Sequence, residues 1–227
     1  MKIEIKSIKG KLLYYLDIEN NTIKKTLEQA IRDKADLRYA DLRYANLKNV
    51  NLENVNLKNA NLRYANLRYA NLENANLNYA NLGYADLENA YLGYADLDYA
   101  HLENAHLENA NLKNANLKNA NLHCADLHCA DLDYANLENA NLRYANLENA
   151  NLNYANIENV NLHYAKNYYS FSAFDTSKRT VHCVRHDNVW MVKAGCFWGT
   201  LEELEEKVKK SHGSKVYLTN IELLKTL

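Results

Sequence analysis

The stretch NLRYANLRYANLENANLNYA, residues 61–80, contains four tandem copies of one five-residue unit. The unit continues without interruption over residues 35–164, which makes 26 consecutive pentads. Each pentad begins with alanine, or three times with valine, and two positions later carries leucine, replaced once by Ile157. The residue between them is Asn or Asp in 23 of the 26 pentads. Since a fixed internal period marks a repeat architecture, this segment decides the fold.

The spacing of the apolar residues predicts a coil with short extended sides. Alanine and leucine are two positions apart, so both side chains project to the same side of an extended segment. A period of five matches neither an α-helix nor a long strand. The chain must therefore turn a corner in each pentad, and successive coils must stack at about 4.8 Å, the inter-strand distance. Asn or Asp suits the position between alanine and leucine, because its short side chain can bond nearby turn backbone.

The tandem A-[DN]-L-x-x pattern over residues 35–164 resembles the pentapeptide-repeat proteins. In that family four pentads form one square coil, so the resemblance implies a mainly β fold, a right-handed quadrilateral β-helix. The spacing alone does not exclude a three-sided coil. Four pentads per coil would divide the 26 pentads into 6.5 coils. The rod would then be about 30 Å long at the inter-strand spacing.

A coil of four pentads places residues that are 20 positions apart in one vertical row. Tyr44, Tyr64 and Tyr84 then form an outward row, which is interrupted at two positions and resumes at Tyr144 and Tyr164. Stacked aromatic side chains stabilise neighbouring strands. We therefore interpret this row as structural, in preference to an aromatic surface that binds a ligand.

Residues 1–34 are predicted to form an N-terminal cap, because the end coils of a solenoid need covering. Lys2–Ser7 and Lys11–Asp17 alternate apolar and polar residues, which indicates a hairpin, and Ile23–Lys34 has helical periodicity. The solenoid itself is assigned to residues 35–165.

Residues 166–227 differ in composition from the repeat and are predicted to form a C-terminal α+β domain. Thr200 and Glu203 have the spacing of a capping box at the start of a helix. The predicted elements are the strands Arg179–Arg185 and Val189–Ala194, the helix Leu201–Ser211, and a final helix around Tyr217, Ile221 and Leu224. A homodimer formed through this domain is one hypothesis for assembly.

Both ends of the chain carry a second resemblance. The segment Lys193–Leu201, KAGCFWGTL, resembles the tail of many phage and prophage pentapeptide-repeat proteins, and residues 1–36 resemble their heads. This resemblance implies a lineage and no particular activity.

Composition and the N-terminal sequence limit the compartment and the general partners. The formal net charge of −1 gives no overall attraction to nucleic acid or anionic membrane. Apolar runs are too short to span a bilayer, and the N-terminal residues lack the apolar core of a signal peptide. The four cysteines form no C-x-x-C pair. These features predict a reduced, cytoplasmic protein without a membrane partner.

Two doublets, His123-Cys124 and His128-Cys129, contain residue types that bind zinc. Their spacing of five matches no standard zinc pattern, and both doublets occupy outward positions of the coil. Tandem duplication of a pentad explains the repeated doublet without selection for metal. The sequence therefore predicts no metal and no cofactor.

In the tail, Cys196 follows His182 and His186 in sequence. A thiol nucleophile needs a base within hydrogen-bond reach and a third group that orients the base. The sequence does not establish that geometry, and a buried structural cysteine is the commoner outcome. We therefore predict no enzymatic activity.

Three pentads depart from the usual Asn or Asp. The replacements are Tyr91, His101 and His106. They mark either a local surface patch or tolerated exposed substitutions, and the second interpretation is preferred.

Charges are distributed unevenly along the repeat. Its 9 Lys and Arg residues and 16 Asp and Glu residues give a net charge of −7, whereas the head and the tail are each +3. Six basic residues, called the basic band below, cluster in the first two coils: Arg38, Arg43, Lys48, Lys58, Arg63 and Arg68. The basic band is either a solvated face or an electrostatic docking surface, and it is the candidate interaction surface.

Together these features predict a non-enzymatic structural or protein-interaction protein whose partner is an unidentified protein. A first alternative comes from the resemblance, because some pentapeptide-repeat proteins mimic duplex DNA and bind type II topoisomerases such as gyrase. The basic first coils and the mixed α/β tail depart from those relatives. A second alternative is anion or nucleic-acid binding through the basic band, which would depend strongly on salt. We rank this alternative last, because the carboxylates of Asp36, Asp41 and Glu53 lie among the basic residues.

Overall fold

The computed structural model of the protein describes residues 1–172, 180–186, 189–194, 197–210 and 215–226. The repeat lies between an N-terminal hairpin with one helix and a C-terminal sheet with two helices. The named elements are β1 Lys2–Lys6, β2 Leu12–Asp17, α1 Ile23–Arg32, β3 Tyr168–Ser172, β4 Thr180–His186, β5 Val189–Ala194, β6 Phe197–Thr200, α2 Leu201–Lys210 and α3 Lys215–Lys225. None of the described helices combines the length and the apolar character needed to cross a membrane.

The repeat forms a solenoid in which each coil contains four pentads. Parallel backbone bridges join residues that are 20 positions apart, from the pair Asp41 and Asn61 to the pair Asn146 and Lys166. A three-pentad coil would pair residues 15 positions apart, so the pairing resolves the alternative that the sequence left open. Each bridge involves a single residue, and the sides of the coil are therefore shorter than ordinary strands.

Every backbone N–H of a typical five-residue repeat has an acceptor, as residues 61–65 illustrate. The N–H groups of Asn61, Leu62 and Tyr64 donate to carbonyls of the adjacent coils at 2.8, 2.7 and 3.1 Å. The N–H of Ala65 donates to the Leu62 carbonyl at 2.9 Å, which closes the turn. The remaining N–H, from Arg63, donates to the side-chain Oδ1 of Asn61 at 3.1 Å. The frame thus satisfies its own polar backbone groups, as a stable solenoid requires.

The interior is a continuous stack of leucine side chains bordered by alanines. Leu47, Leu67 and Leu87 are completely inaccessible to solvent, and the alanines of the same coils are buried. Burial of an apolar side chain of this size stabilises the fold by about 1.5–3 kcal/mol. The predicted inward orientation of alanine and leucine is therefore confirmed.

The corner of each pentad requires a left-handed backbone. The second residue after leucine has φ between 55° and 63° in all 26 pentads, from Tyr39 to Tyr164. Asn tolerates this conformation better than other non-glycine residues, because its short polar side chain bonds locally. This explains why Asn fills twelve of these positions. The sequence interpretation did not identify this requirement.

The N-terminal hairpin and α1 cover the first coil. The N–H of Asp41 donates to the Lys6 carbonyl at 2.8 Å, so β1 continues the backbone pairing of the solenoid. Leu27 of α1 is fully buried and belongs to the same apolar core as the leucine stack. The predicted hairpin and helix are confirmed. The helix ends at Arg32, before the predicted Lys34, because Lys34 has a left-handed φ of 57°.

The C-terminal segment forms an antiparallel sheet with strand order β3-β4-β5-β6. One face of the sheet packs against the last coils, where Val184 and Trp198 extend the solenoid core. The other face packs against α2 and α3 through a second core that includes Cys183, Val192 and Leu204. The sheet therefore closes the solenoid and also supports an apolar core of its own. The predicted strands in β4 and β5 are confirmed, whereas β3 and β6 were not predicted.

Polar contacts join the tail to the rod. The indole N–H of Trp198 donates to Asn153 Oδ1 at 2.8 Å, and the Lys193 ammonium donates to the Ala155 carbonyl at 2.7 Å. The predicted capping box is present, since the N–H of Thr200 donates to the Glu203 carboxylate at 2.9 Å and the N–H of Glu203 donates to Thr200 Oγ1 at 3.2 Å. The final predicted helix corresponds to α3. Three parts of the predictions lie outside the described residues: the first residue of the strand predicted at Arg179–Arg185, the last residue of the helix predicted at Leu201–Ser211, and Cys196.

Candidate interaction surface

Tyrosines at the corners form stacked rows on the outside of the rod. The rings of Tyr44, Tyr64 and Tyr84 follow one another at centroid distances of 5.0 Å, as the sequence predicted. Other stacked pairs are Tyr79 with Tyr99, Tyr134 with Tyr154, and Tyr144 with Tyr164. The spacing equals the distance between coils, so each ring contacts the ring of the next coil face to face. These contacts stabilise the corner and still leave the ring edges exposed.

A surface region with unstacked tyrosines is formed by Glu73, Tyr91, Gly93 and Tyr94, and we call these four residues the Tyr91 patch. Tyr91 replaces the usual Asn or Asp, and its side chain is 50% exposed. Tyr94 occupies a left-handed corner, is 65% exposed, and lies in a row between Asn74 and Asn114. Tyr94 therefore has no tyrosine above or below it to stack against.

Gly93 leaves a gap in a row of longer side chains. The same position in the other coils carries Glu53, Glu73, Lys113, Asp133 and Asn153. Gly93 does not have a positive φ. A Cβ atom placed on it would approach no atom closer than 3.7 Å, the distance to Glu73 Oε1 and to the Lys113 carbonyl. Neither the backbone nor packing demands glycine here, so its consequence is the open space beside Tyr94.

Two shallow grooves meet at this patch. One, of about 400 Å³, is lined by Tyr69, Glu73 and Tyr91 among others. The second, of about 370 Å³, is lined by Glu73, Gly93, Tyr94 and Lys113 among others. Glu73 borders both grooves and thus lines one groove with Tyr91 and the other with Tyr94.

The sequence interpretation offered a local surface patch at Tyr91 as one alternative, preferred a tolerated substitution, and did not name Gly93 or Glu73. The sequence did contain a signal for this region, because the residue directly after leucine is glycine in only two of the 26 pentads, at Gly83 and Gly93. The spatial relation of Glu73 to residues 91–94 depends on the 20-residue coil and becomes evident once the rows are aligned.

The basic band is distributed over three of the four rows of variable positions. Arg43 and Arg63 share one row, as do Lys48 and Arg68, and as do Arg38 and Lys58. The fourth row carries Glu53 and Glu73 in the same coils. The structure therefore brings the six residues together in pairs rather than on one face.

Three members of the basic band contact carboxylates. Arg38 contacts Asp36 at 2.6 Å and Arg43 contacts Asp41 at 2.7 Å, each through two parallel hydrogen bonds. The Arg38 guanidinium lowers the pKa of Asp36 to about 2. Arg68 contacts Glu88 in the next coil.

The other three members lie over tyrosine rings. Lys48 is 5.7 Å from the ring centroid of Tyr69, and Lys58 is 5.8 Å from that of Tyr79. Arg63 lies 4.8 Å from Tyr64 and 5.3 Å from Tyr84. Each basic side chain thus has a partner on the surface of the repeat itself. The role of the basic band as a docking surface stays a prediction.

The two His-Cys doublets lie on adjacent rows, with partly buried histidines and exposed cysteines. Cys124 Sγ lies 3.9 Å from its neighbour His123 Nε2, and Cys129 Sγ lies 3.6 Å from His128 Nε2. Over the described parts of the chain, no group of three or more His, Cys, Asp or Glu residues has the arrangement of a metal site. Burial raises the pKa of Cys183 to about 12, which removes thiolate character from this residue at neutral pH.

A cleft of about 580 Å³ separates the last coil from the tail and contains Tyr168 and His182. The Tyr168 hydroxyl and His182 Nδ1 lie 2.8 Å apart. Burial, with a smaller contribution from the Lys193 charge, lowers the pKa of His182 below its ordinary value of 6.5. Both features favour a neutral histidine whose hydrogen bond links β3 to β4 within the C-terminal sheet.

A solenoid of four-pentad coils, with leucine inside and Asn or Asp turns, defines a repeat protein of the β-solenoid class. The family described as Pentapeptide repeats matches this chain in eight copies, over residues 26–59, 56–93, 95–132 and 130–165. The chain belongs to this family.

Several solved structures are similar to the chain. HetL, a pentapeptide repeat protein involved in heterocyst differentiation regulation from the cyanobacterium Nostoc sp. strain PCC 7120, is 36% identical, with 56% of this chain and 72% of HetL covered and a TM-score of 0.35. Rfr23 from the cyanobacterium Cyanothece 51142 is 42% identical, over 44% of this chain and 58% of its own, with a TM-score of 0.23. QnrB1, a plasmid-mediated fluoroquinolone resistance protein, is 16% identical over 53% of this chain and 64% of its own, with a TM-score of 0.42. No curated protein matches the chain.

Proposed function

We propose that this chain is a non-enzymatic interaction protein that presents side chains on a rigid, right-handed, four-sided solenoid to a protein partner. The observation that carries the proposal is the set of exposed tyrosines on a backbone frame that satisfies its own hydrogen bonds. Tyrosine is enriched at the centres of protein interfaces, because its ring combines apolar area with a polar hydroxyl. A rigid frame loses little conformational entropy when it binds.

Affinity capture with the full-length protein tests this proposal. Extracts of the native host are passed over the immobilised chain, and retained proteins are quantified by mass spectrometry. We expect one partner to be retained, and to be lost when exposed tyrosines of the rod are replaced. Retention of no protein above the level of an unrelated β-solenoid would contradict the proposal, as would turnover of a metabolite by the purified chain.

A second candidate is the DNA-mimic function that the family resemblance implies. The net charge of −7 over the repeat favours it, and the ion pairs of Arg38, Arg43 and Arg68 with carboxylates reduce the positive potential of the first coils. A gyrase supercoiling assay with added protein distinguishes the two candidates. Inhibition or protection of gyrase at micromolar concentration supports the mimic, and an unchanged supercoiling rate removes it.

A further inference from the structure

The Tyr91 patch retains two tyrosines at positions where Asn would suit the local backbone better. Asn or Asp at position 91 would accept the N–H two residues later, as Asn71 does from Glu73 at 3.0 Å. The phenol of Tyr91 cannot reproduce this short contact. Tyr94 adopts a left-handed φ of 58° without the stacking that compensates Tyr64. Positions that break a local rule without compensation inside the fold are those expected to serve a function.

The rest of the solenoid shows what is missing at Tyr94. A basic residue directly before a corner tyrosine covers that ring in three pentads: Arg63 over Tyr64 at 4.8 Å, Arg68 over Tyr69 at 5.8 Å and Arg143 over Tyr144 at 4.8 Å. Gly93 occupies the equivalent position before Tyr94. The ring of Tyr94 therefore has no cation from the residue directly before it, in contrast to Tyr64, Tyr69 and Tyr144.

The charge beside the gap is negative. Glu73 Oε1 lies 3.7 Å from the position that a Cβ on Gly93 would take. No ion pair joins Glu73 to another residue within the part of the chain that the structure describes. The nearby Lys113 contacts Asp131 at 3.1 Å, in the coil on its other side. The Glu73 carboxylate thus remains available to an incoming cation, and it would repel a phosphate.

We infer that the Tyr91 patch binds an arginine or lysine side chain of a protein partner, so that the partner supplies the cation that Gly93 omits. The inference rests on the proposed interaction function and names the chemistry of one contact. The aromatic faces provide cation–π attraction and Glu73 provides an ion pair, whereas an acidic or phosphorylated segment would meet a carboxylate. Because Gly93 has no side chain, the gap beside Tyr94 can admit the arginine or lysine side chain of the partner.

The test titrates full-length protein carrying ¹³C-labelled tyrosine with N-acetylarginine amide, and N-acetylcitrulline amide serves as the uncharged control. Tyr91 and Tyr94 signals are assigned from the variants Tyr91→Asn and Tyr94→Asn. We expect arginine to shift both signals, with citrulline binding about tenfold weaker or more because it lacks the charge. Equal shifts with citrulline, or no shift with arginine, would overturn the inference. Shifts of these rings by a thymidine oligonucleotide, without shifts by arginine, would also overturn it and assign the patch to nucleic acid.

Two glycine variants form a matched pair. Gly93→Arg should place an intramolecular arginine over Tyr94 and abolish the arginine-induced shifts. Gly83→Arg is the control, because Tyr84 already lies 5.3 Å from Arg63 and the substitution is in another row. Glu73→Gln should weaken binding by about tenfold. Unchanged binding in Gly93→Arg would refute the site.

The same pair separates this inference from the proposed function. If a partner is captured equally by the wild type, Gly83→Arg and Gly93→Arg, the interaction function stands and the patch inference fails. Loss of capture in Gly93→Arg alone supports both. Failure of the wild type to capture any partner contradicts the proposed function, while the arginine titration still decides the chemistry of the patch.

Discussion

Asn61 accepts a hydrogen bond from the backbone N–H of Arg63 at 3.1 Å, through a side-chain oxygen that lies two residues before the donor. The same contact recurs at equivalent positions along the rod, for example from Glu53 to Asn51 at 3.0 Å and from Glu138 to Asn136 at 3.1 Å. It satisfies the one N–H of the pentad that neither the adjacent coil nor the turn can reach. Asn or Asp at this position therefore completes the hydrogen bonding of the backbone in the pentad.

Restoring this contact should stabilise the protein. His101→Asn and His106→Asn supply the missing acceptor, and each should raise the free energy of unfolding by about 0.5–1.5 kcal/mol, the usual net value of a hydrogen bond. Both histidines are exposed and contact Glu103 and Glu108 at 3.3 and 3.5 Å, interactions that contribute little at a surface. Denaturant titration measures the change. Asn61→Ala is the converse control and should lower stability by a similar amount, whereas lower stability in both Asn variants would contradict this role.

Stacked and unstacked corner tyrosines should respond differently to the same substitution. Tyr64→Asn and Tyr94→Asn relieve equal backbone strain, but only Tyr64 loses two ring contacts at 5.0 Å. The loss in Tyr64→Asn should exceed that in Tyr94→Asn by about 1–3 kcal/mol, since each aromatic pair contributes about 0.5–1.5 kcal/mol. Thermal and denaturant unfolding of the two variants provide the comparison. Equal effects would show that stacking does not stabilise the corners.

Removing residues 166–227 should destabilise the rod. Trp198 and Val184 pack on its last coils, and an uncovered end exposes both apolar side chains and unpaired backbone. Light scattering after size-exclusion chromatography should therefore show aggregation of the 1–165 truncation. If the truncation remains a monomer with an unchanged unfolding temperature, the tail is not a cap. The full-length chain in the same experiment tests the predicted homodimer.

The C-terminal sheet should lose stability in acid because of His182. Its pKa is lowered in the folded protein, so the unfolded state binds more protons as the pH falls below about 6.5. Stability contributed by the neutral form is present above this pH and is lost as the pH falls toward the lowered value. The groups that face His182 are the Tyr168 hydroxyl on β3, the Lys193 ammonium on β5 and His163 across the cleft. His182→Gln should reduce the fall of the unfolding temperature as the pH drops below about 6.5, and an unchanged dependence on pH would argue against this group.

The cysteines should differ in reactivity. Cys124 and Cys129 are exposed, whereas burial raises the pKa of Cys183 to about 12. Because the thiolate is the reactive species, iodoacetamide at neutral pH should modify the two exposed residues well before Cys183. Peptide mapping by mass spectrometry at timed intervals follows each site separately. The same reaction in denaturant is the control and should make Cys183 equally reactive. Rapid modification of Cys183 in the native protein would contradict its buried placement.

The repeat could be interpreted in detail from the sequence because each requirement is local and recurs 26 times. Alanine and leucine separated by two residues, with Asn or Asp between them, specify which side chains enter the core and which one closes the turn. Even the tyrosine row follows from the period once the number of pentads per coil is known. The left-handed corner escaped notice because Tyr and Cys, which disfavour it, occupy 14 of the 26 corners alongside Asn.

Features that depend on contacts distant in sequence required the folded chain. The strands β3 and β6 are short segments, and they become strands because they pair with β4 and β5 at the end of the rod. Coiling brings four cations of the basic band next to a tyrosine or a carboxylate of the following coil, namely Lys48, Lys58, Arg63 and Arg68. Arg38 and Arg43 instead pair with Asp36 and Asp41, two residues earlier in the sequence. Glu73 and Gly93 also come together only because the backbone returns after 20 residues. Local chemistry thus specifies the coil from the amino-acid order, whereas the surface it presents depends on which side chains the stacking of coils places side by side.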